Sequence, residues 1–174
     1  MPMRLLLGGA RSGKSALAVR LAQSWAGPVV FVATAEARDA DMAERIEQHR
    51  RDRPAGWATV EEPIELVTVL RNAPADAFLV VDCLSLWVSN LMEAGWEGER
   101  IEDAARTAAD VLSARDSPSV VVSNEVGLGV VPTTELGRSY RDVLGRVNAV
   151  FAKAADSAQL IVAGRALELG APPG

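Results

Sequence analysis

The most constraining stretch of this chain is Gly8-Gly9-Ala10-Arg11-Ser12-Gly13-Lys14-Ser15, which fits the pattern of Gly, four residues, Gly, Lys, then Ser or Thr. Such a loop needs a strand before it and a helix after it. Met3-Arg4-Leu5-Leu6-Leu7 reads as a short apolar strand, and Ala16-Leu17-Ala18-Val19-Arg20-Leu21-Ala22 reads as the helix. Glycines let the backbone fold back so that successive N–H groups point inward and form a concave anion site. The following helix adds its N-terminal partial positive charge at the same place. Lys14 can then reach β- and γ-phosphates, and the Ser15 hydroxyl can ligate Mg²⁺. The loop specifies nucleotide phosphates without specifying a reaction.

The remaining apolar runs set the fold class. Val29-Val30-Phe31-Val32-Ala33, Phe78-Leu79-Val80-Val81-Asp82, Val120-Val121-Val122 and Gln159-Leu160-Ile161-Val162-Ala163 are continuous and rich in β-branched residues. Runs of this kind are strands buried on both faces, hence a parallel sheet between helices. Helical patterns separate them. Asp39 to about Arg50–Arg53 reads as an exposed helix stopped by Pro54, and Trp57 to Glu61 as a short strand. Pro63 is expected to open a helix at its first position, with Ile64, Val67 and Leu70 at helical spacing. Leu84 to Met92, about Glu99 to Arg115, and a helix capped by Thr133 or Thr134 and ending near Ala155 complete the set. The sequence predicts an α/β doubly wound fold with a mostly parallel sheet and helices on both faces, its last strand at residues 159–163. Strand order is not readable from the pattern.

Length supports one domain over residues 1–170, with 171–174 a frayed tail, in a chain of 174 residues. A net charge of −5 argues against general nucleic-acid binding. The single cysteine, Cys83, has no partner for a disulfide and reads as a small core residue, which fits a reducing, cytoplasmic setting. The N-terminal Leu5-Leu6-Leu7 is too short for an export signal, and no apolar run approaches the roughly 20 residues of a membrane span.

Asp82 ends an apolar strand, which places a carboxylate beside the loop's Mg²⁺. Buried strands also end in Asp for turn reasons, and the loop tips the balance towards a metal role. Residues 123–132, with two glycines, a proline, Asn124 and Glu125, form either a shaped functional loop at the sheet's C-terminal edge or a purely structural turn. His49 is the only histidine. A lone histidine on a polar helix is ordinarily a solvated surface residue. Here Arg50, Arg51 and Arg53 surround it, a cationic cluster able to grip phosphates or to pair with Asp39, Asp41 and Asp52. Neighbouring positive charge favours the neutral, nucleophilic imidazole, while a helix C-terminus favours the cation.

Six ordered motifs together resemble one family. They are the phosphate loop; Ala33-Thr34-Ala35; Arg45-Ile46 through His49 to Arg53-Pro54; Trp57 with Thr59 and Glu61; Asn124-Glu125-Val126-Gly127-Leu128-Gly129-Val130-Val131-Pro132; and Tyr140-Arg141-Asp142-Val143-Leu144-Gly145-Arg146-Val147-Asn148. The chain resembles, over nearly its whole length, the bifunctional adenosylcobinamide kinase / adenosylcobinamide-phosphate guanylyltransferases of cobalamin biosynthesis. The resemblance implies use of GTP, with ATP an alternative donor in the kinase step, adenosylcobinamide as acceptor, and a homotrimer. It implies that His49 becomes guanylylated. It also implies GTP contacts from Gly8, Gly9, Ala10, Arg11, Ser12, Gly13, Lys14 and Ser15; from Ala33, Thr34 and Ala35; and from Arg50, Arg51, Asp52, Arg53, Glu61 and Asp82. Two other readings share the phosphate loop. One is a simple small-molecule kinase with no covalent intermediate, and the other a regulatory GTPase. Against the second, the chain lacks an Asn-Lys-x-Asp guanine-reading motif.

Overall fold

A computed structural model describes residues 3–38, 40–51 and 53–171. Its elements in chain order are β1 Met3–Gly8, α1 Lys14–Gln23, β2 Val29–Ala33, α2 Ala40–Arg51, β3 Ala58–Glu61, α3 Leu66–Asn72, β4 Phe78–Asp82, α4 Leu84–Glu93, α5 Gly98–Ser113, β5 Ser119–Val122, α6 Glu135–Ala154, β6 Ser157–Val162 and β7 Arg165–Leu169. The strands form one seven-stranded sheet in the order β3-β2-β4-β5-β1-β6-β7. Every pairing is parallel except β6 with β7.

The apolar runs explain this architecture. Successive strand residues point to opposite faces, so a run that is apolar throughout must be covered on both. Leu5, Leu7, Val30, Val32, Leu79, Val81 and Val121 join one core cluster with residues of α3, α4, α5 and α6. Leu6, Phe31, Ala33, Val80, Val120 and Val122 join the other with Ala18 and Ala22 of α1. Burying a side chain of this size is worth roughly 1.5–3 kcal/mol. Trp87 and Phe151 are among the largest fully buried side chains. The Trp87 indole nitrogen keeps a partner by donating to the Ile64 carbonyl at 2.9 Å, as a buried N–H requires.

Strand order fixes where a ligand can enter. From β1 the chain crosses to β2 on one side of β1, whereas from β5, the neighbour of β1, it crosses back over β1 to β6. Connections that leave adjacent strands in opposite directions open a crevice at their carboxyl ends. The phosphate loop follows β1 and residues 123–132 follow β5, so both lie at this crevice.

Two expectations need correction. Pro63 does not open a helix. The Glu62 carboxylate accepts hydrogen bonds from the backbone N–H groups of Ile64 and Glu65, each at 2.9 Å. That turn keeps residues 63–65 outside α3, which starts at Leu66 and buries Leu66 and Leu70, four residues apart. The strand at residues 159–163 is also not the last. The chain turns through Ala163 and Gly164, at φ 50° and 77°, and returns as β7. Both central residues of such a tight hairpin need positive φ, and alanine at the first of them conceals the turn from a reading of residue types. All of β7 is exposed, so no buried face marks it in the sequence either.

Candidate active site at the phosphate loop

The loop between β1 and α1 is held from beneath. Gly13 sits at φ 99° as the residue before α1, a left-handed conformation that favours glycine. A Cβ on Gly8 would collide with the Ile161 carbonyl oxygen of β6, so only glycine lets β1 pass this close to β6. The hairpin turn supports the loop from the side, because Gly164 N–H donates to the Ser12 carbonyl at 2.8 Å. The turn that the sequence concealed is thus part of the scaffold of the phosphate cradle.

Lys14 is buried, and its ammonium donates to the Gly9 carbonyl at 2.7 Å and lies 3.5 Å from Ser12 Oγ. Its pKa is lowered by burial, an effect opposed by the nearby Cys83 and Asp82. Ser15 and Asp82 line one cavity of about 310 Å³ with Ala16, Val19, Arg20, Gln23, Phe31 and Arg53. A hydroxyl and a carboxylate facing one cavity are hard oxygen donors of the kind Mg²⁺ prefers. The structure therefore brings together Lys14, Ser15 and Asp82 from two separate sequence signals.

The arginine cluster divides. Arg53 turns into the cavity, its guanidinium carbon 3.6 Å from the centroid of the Phe31 ring. Its Nε and Nη1 are buried without a hydrogen-bond partner. Burial lowers its pKa, Asp82 opposes that shift, and Arg50 adds to it. A half-buried guanidinium with free donors beside a phosphate loop is equipped to take anionic oxygens. Arg50 instead pairs with Glu47 and Glu61 and lines a second cavity with Thr59 and Glu61. Arg51 Nε donates to the Glu47 carbonyl at 3.4 Å. Asp39 and Asp52 lie outside the described residues, as do the side chains of Asp41, Met42, Arg45 and His49, although the α2 backbone carries His49 directly before Arg50.

Thr34 is fully buried. Its hydroxyl donates to the Cys83 carbonyl at 2.7 Å and accepts from Cys83 N–H at 2.9 Å, which fastens the end of β2 to the end of β4. Its own carbonyl accepts from Asn90 Nδ2 at 2.8 Å. Ala33 ends β2 and Ala35 is half-buried just beyond it. The Cys83 thiol is buried and pushed up to about 11 by that burial, so it stays protonated and inert at neutral pH.

Sequence reasoning missed Phe31, Val19, Arg20 and Gln23 as cavity residues. Phe31 reads as core, and only its place two residues before Ala33 on the same sheet face hints otherwise. The loop after β5 is closer to the phosphate loop than its composition suggests. Glu125 N–H donates to the Gly8 carbonyl at 3.1 Å. Below it, Ser123 Oγ donates to Asn148 Oδ1 at 2.6 Å, Asn148 Nδ2 to the Asn124 carbonyl at 3.0 Å, and Asn124 Nδ2 to Ser85 Oγ at 3.0 Å. Tyr140 Oη donates to the Ser85 carbonyl at 3.0 Å. This network fixes the base of the loop, while Leu128, Val130 and Val131 are exposed at its tip.

Solved structures share the architecture. A KaiC-like protein from Pyrococcus horikoshii superposes with a TM-score of 0.54 at 18% identity, over 91% of this chain and 70% of that one. A prototypical ATPase from the type III secretion system of pathogenic bacteria does so with a TM-score of 0.55 at 8% identity, over 91% of this chain and 50% of that one. At such identities the likeness establishes the fold alone, a mostly parallel α/β sheet with a phosphate loop after its first strand. Sequence relatives go further. The chain is 42% identical over 170 residues to the bifunctional adenosylcobalamin biosynthesis protein CobP of Pseudomonas aeruginosa, covering 97% of this chain and 98% of that protein. It is 39% identical over 176 residues to the bifunctional adenosylcobalamin biosynthesis protein CobU of Salmonella typhimurium, covering 93% and 96%. The family model described as cobinamide kinase / cobinamide phosphate guanyltransferase matches residues 4–169. With the phosphate cradle, the buried lysine and the strand-end carboxylate all in place, this protein belongs to the cobinamide kinase / cobinamide phosphate guanyltransferase family of enzymes.

Proposed function

We propose that this protein phosphorylates adenosylcobinamide with a nucleoside triphosphate, GTP or ATP, and then transfers GMP from GTP to the product, giving adenosylcobinamide-GDP and pyrophosphate. The reading is carried by the conjunction of a family match over residues 4–169 with one cavity, at the end of the phosphate loop, that gathers the Ser15 hydroxyl, the Asp82 carboxylate and a guanidinium with two unpartnered nitrogens. In the kinase step the backbone N–H groups of residues 8–15 hold the phosphates and Lys14 exchanges its Gly9 carbonyl for phosphate oxygens. Arg53 donates its free N–H groups to the same anion. In the second step the His49 imidazole attacks the α-phosphorus of GTP. A nitrogen–phosphorus bond forms, the bond to pyrophosphate breaks, and GMP stays on the ring. An oxygen of the corrinoid phosphate then attacks that phosphorus and frees the imidazole. Two displacements replace one difficult transfer.

The wild-type protein incubated with GTP labelled at the α-phosphate should retain label stable to gel filtration and released by acid. GTP labelled at the γ-phosphate should leave none on the protein and should label the corrinoid. Absence of α-label under conditions of turnover would exclude the covalent intermediate and favour direct transfer.

Ser15 and Asp82 would hold Mg²⁺, and both supply hard oxygen donors to the cavity. When bound there the ion neutralises charge on the triphosphate. Asp82→Asn keeps the shape of the side chain and removes its charge. It should raise the Mg²⁺ concentration for half-maximal rate about tenfold, with thermal unfolding little changed. A Mg²⁺ titration that superposes on the wild type would remove Asp82 from the metal site.

A further inference from the structure

We propose that Glu125 is the catalytic base of the phosphorylation step, the group that takes the proton from the acceptor hydroxyl. The inference rests on the kinase reading above and adds a residue to it. Glu125 stands at the mouth of the crevice between β1 and β5, and its backbone N–H donates to the carbonyl of Gly8, the first residue of the phosphate loop, at 3.1 Å. That bond places its backbone beside the first residue of the loop, and in the proposed step its side chain turns towards a hydroxyl approaching the terminal phosphate. The residue is held in place by the Ser123–Asn148–Asn124–Ser85 network beneath it. The residue is half-buried, and among the described residues its carboxylate accepts a hydrogen bond from Gly127 N–H at 2.7 Å. A carboxylate oxygen offers two lone pairs and the group has two oxygens, so ample accepting capacity is left for a substrate O–H. Among described carboxylates, Asp82 lines the cavity with Ser15, where the proposed Mg²⁺ would take it, and Glu61 is paired with Arg50, which leaves Glu125 for the proton.

The chemistry divides the two half-reactions. In the first, an alcohol attacks the γ-phosphorus. Its oxygen–phosphorus bond forms, the bond from that phosphorus to the nucleoside diphosphate breaks, and the hydroxyl proton passes to a Glu125 oxygen. An alcohol is essentially un-ionised at neutral pH, so this proton must go somewhere. In the second half-reaction the acceptor is a phosphate monoester, whose second ionisation lies near a pKa of about 6. It is already an anion and needs no base. Glu125 therefore serves phosphorylation and not guanylyl transfer.

The test uses Glu125→Gln. The glutamine carbonyl oxygen can still accept from Gly127 N–H, so the loop keeps its internal bond while the proton acceptor is lost. The steady-state kcat for phosphorylation of adenosylcobinamide should fall about 100-fold, within the range of general base catalysis. The KM for the nucleotide should hold, and guanylyl transfer to pre-formed adenosylcobinamide phosphate should stay within about twofold of wild type. Glu125→Ala, which also removes the loop bond, should be at least as slow in the first step. Equal kinase rates in Glu125→Gln and wild type would overturn the proposal, as would equal losses in both half-reactions, which would mark a structural role. Wild-type protein with no kinase activity on adenosylcobinamide would instead overturn the functional reading on which the proposal stands.

Discussion

Replacing His49 with alanine is expected to abolish guanylyl transfer and leave phosphorylation largely intact. The neutral ring is the nucleophile in the proposed transfer, and an imidazole with a reference pKa of about 6.5 is mostly neutral slightly above pH 7. Alanine offers no atom that can bond to the α-phosphorus. Loss of a covalent nucleophile removes the pathway, so the transfer rate should fall by roughly 10³-fold or more. The proposed kinase step uses Lys14, Ser15, Asp82 and Arg53, which sit on α1, at the end of β4 and beyond α2. The fold should survive as well, since no described residue of α2 is fully buried. The measurements are retention of α-labelled GMP on the protein and the two half-reactions assayed separately. A variant that still accumulates acid-labile GMP, or makes the GDP-linked product at the wild-type rate, would show that another group is the nucleophile.

Lys14→Ala should produce the complementary loss. In phosphoryl transfer the protein contributes chiefly position and positive charge, and removing one preorganised donor costs about 10²–10³-fold in rate. Lys14 is buried inside the loop it serves, with its ammonium on the Gly9 carbonyl, so no solvent cation replaces it. Stability should change little. The lost hydrogen bond from a charged donor is worth about 1.5–3 kcal/mol, and relief of the desolvation that lowers the lysine pKa offsets part of that. Circular dichroism and thermal unfolding establish the folded state, and γ-phosphate transfer to adenosylcobinamide is then the readout. A folded variant with turnover near wild type would remove Lys14 from the reaction.

The two losses would separate the functions within one small chain, and Glu125→Gln should fall with Lys14→Ala and not with His49→Ala. That grouping follows from where each residue sits. Lys14 and Glu125 flank the crevice at the carboxyl ends of β1 and β5, whereas His49 belongs to the exposed α2.

Much of this was legible in the amino-acid sequence, because the signals are local. The phosphate loop needs glycine, lysine and serine at fixed spacing, and those residues impose their geometry wherever a strand precedes them and a helix follows. The buried strands were equally plain, since Val30 to Val32 and Leu79 to Val81 are apolar on both faces and only a covered parallel sheet satisfies them. Residue types could not reveal features set by distant partners. The start of α3 depends on Glu62 capturing two N–H groups ahead of it, and β7 depends on an alanine held at positive φ and on an edge offered by β6. The division of the arginines was beyond sequence for the same reason. Arg50, Arg51 and Arg53 look alike in a row, yet Glu61 of β3 takes Arg50 while the Phe31 face takes Arg53. Residue order alone dictated the strand, glycine loop and helix that form the proposed phosphate cradle. Strand order settled what stands around that loop, through contacts such as Gly8 with Glu125 and Ser12 with Gly164, more than 100 positions apart, because side chains distant in the chain become neighbours only when the sheet assembles.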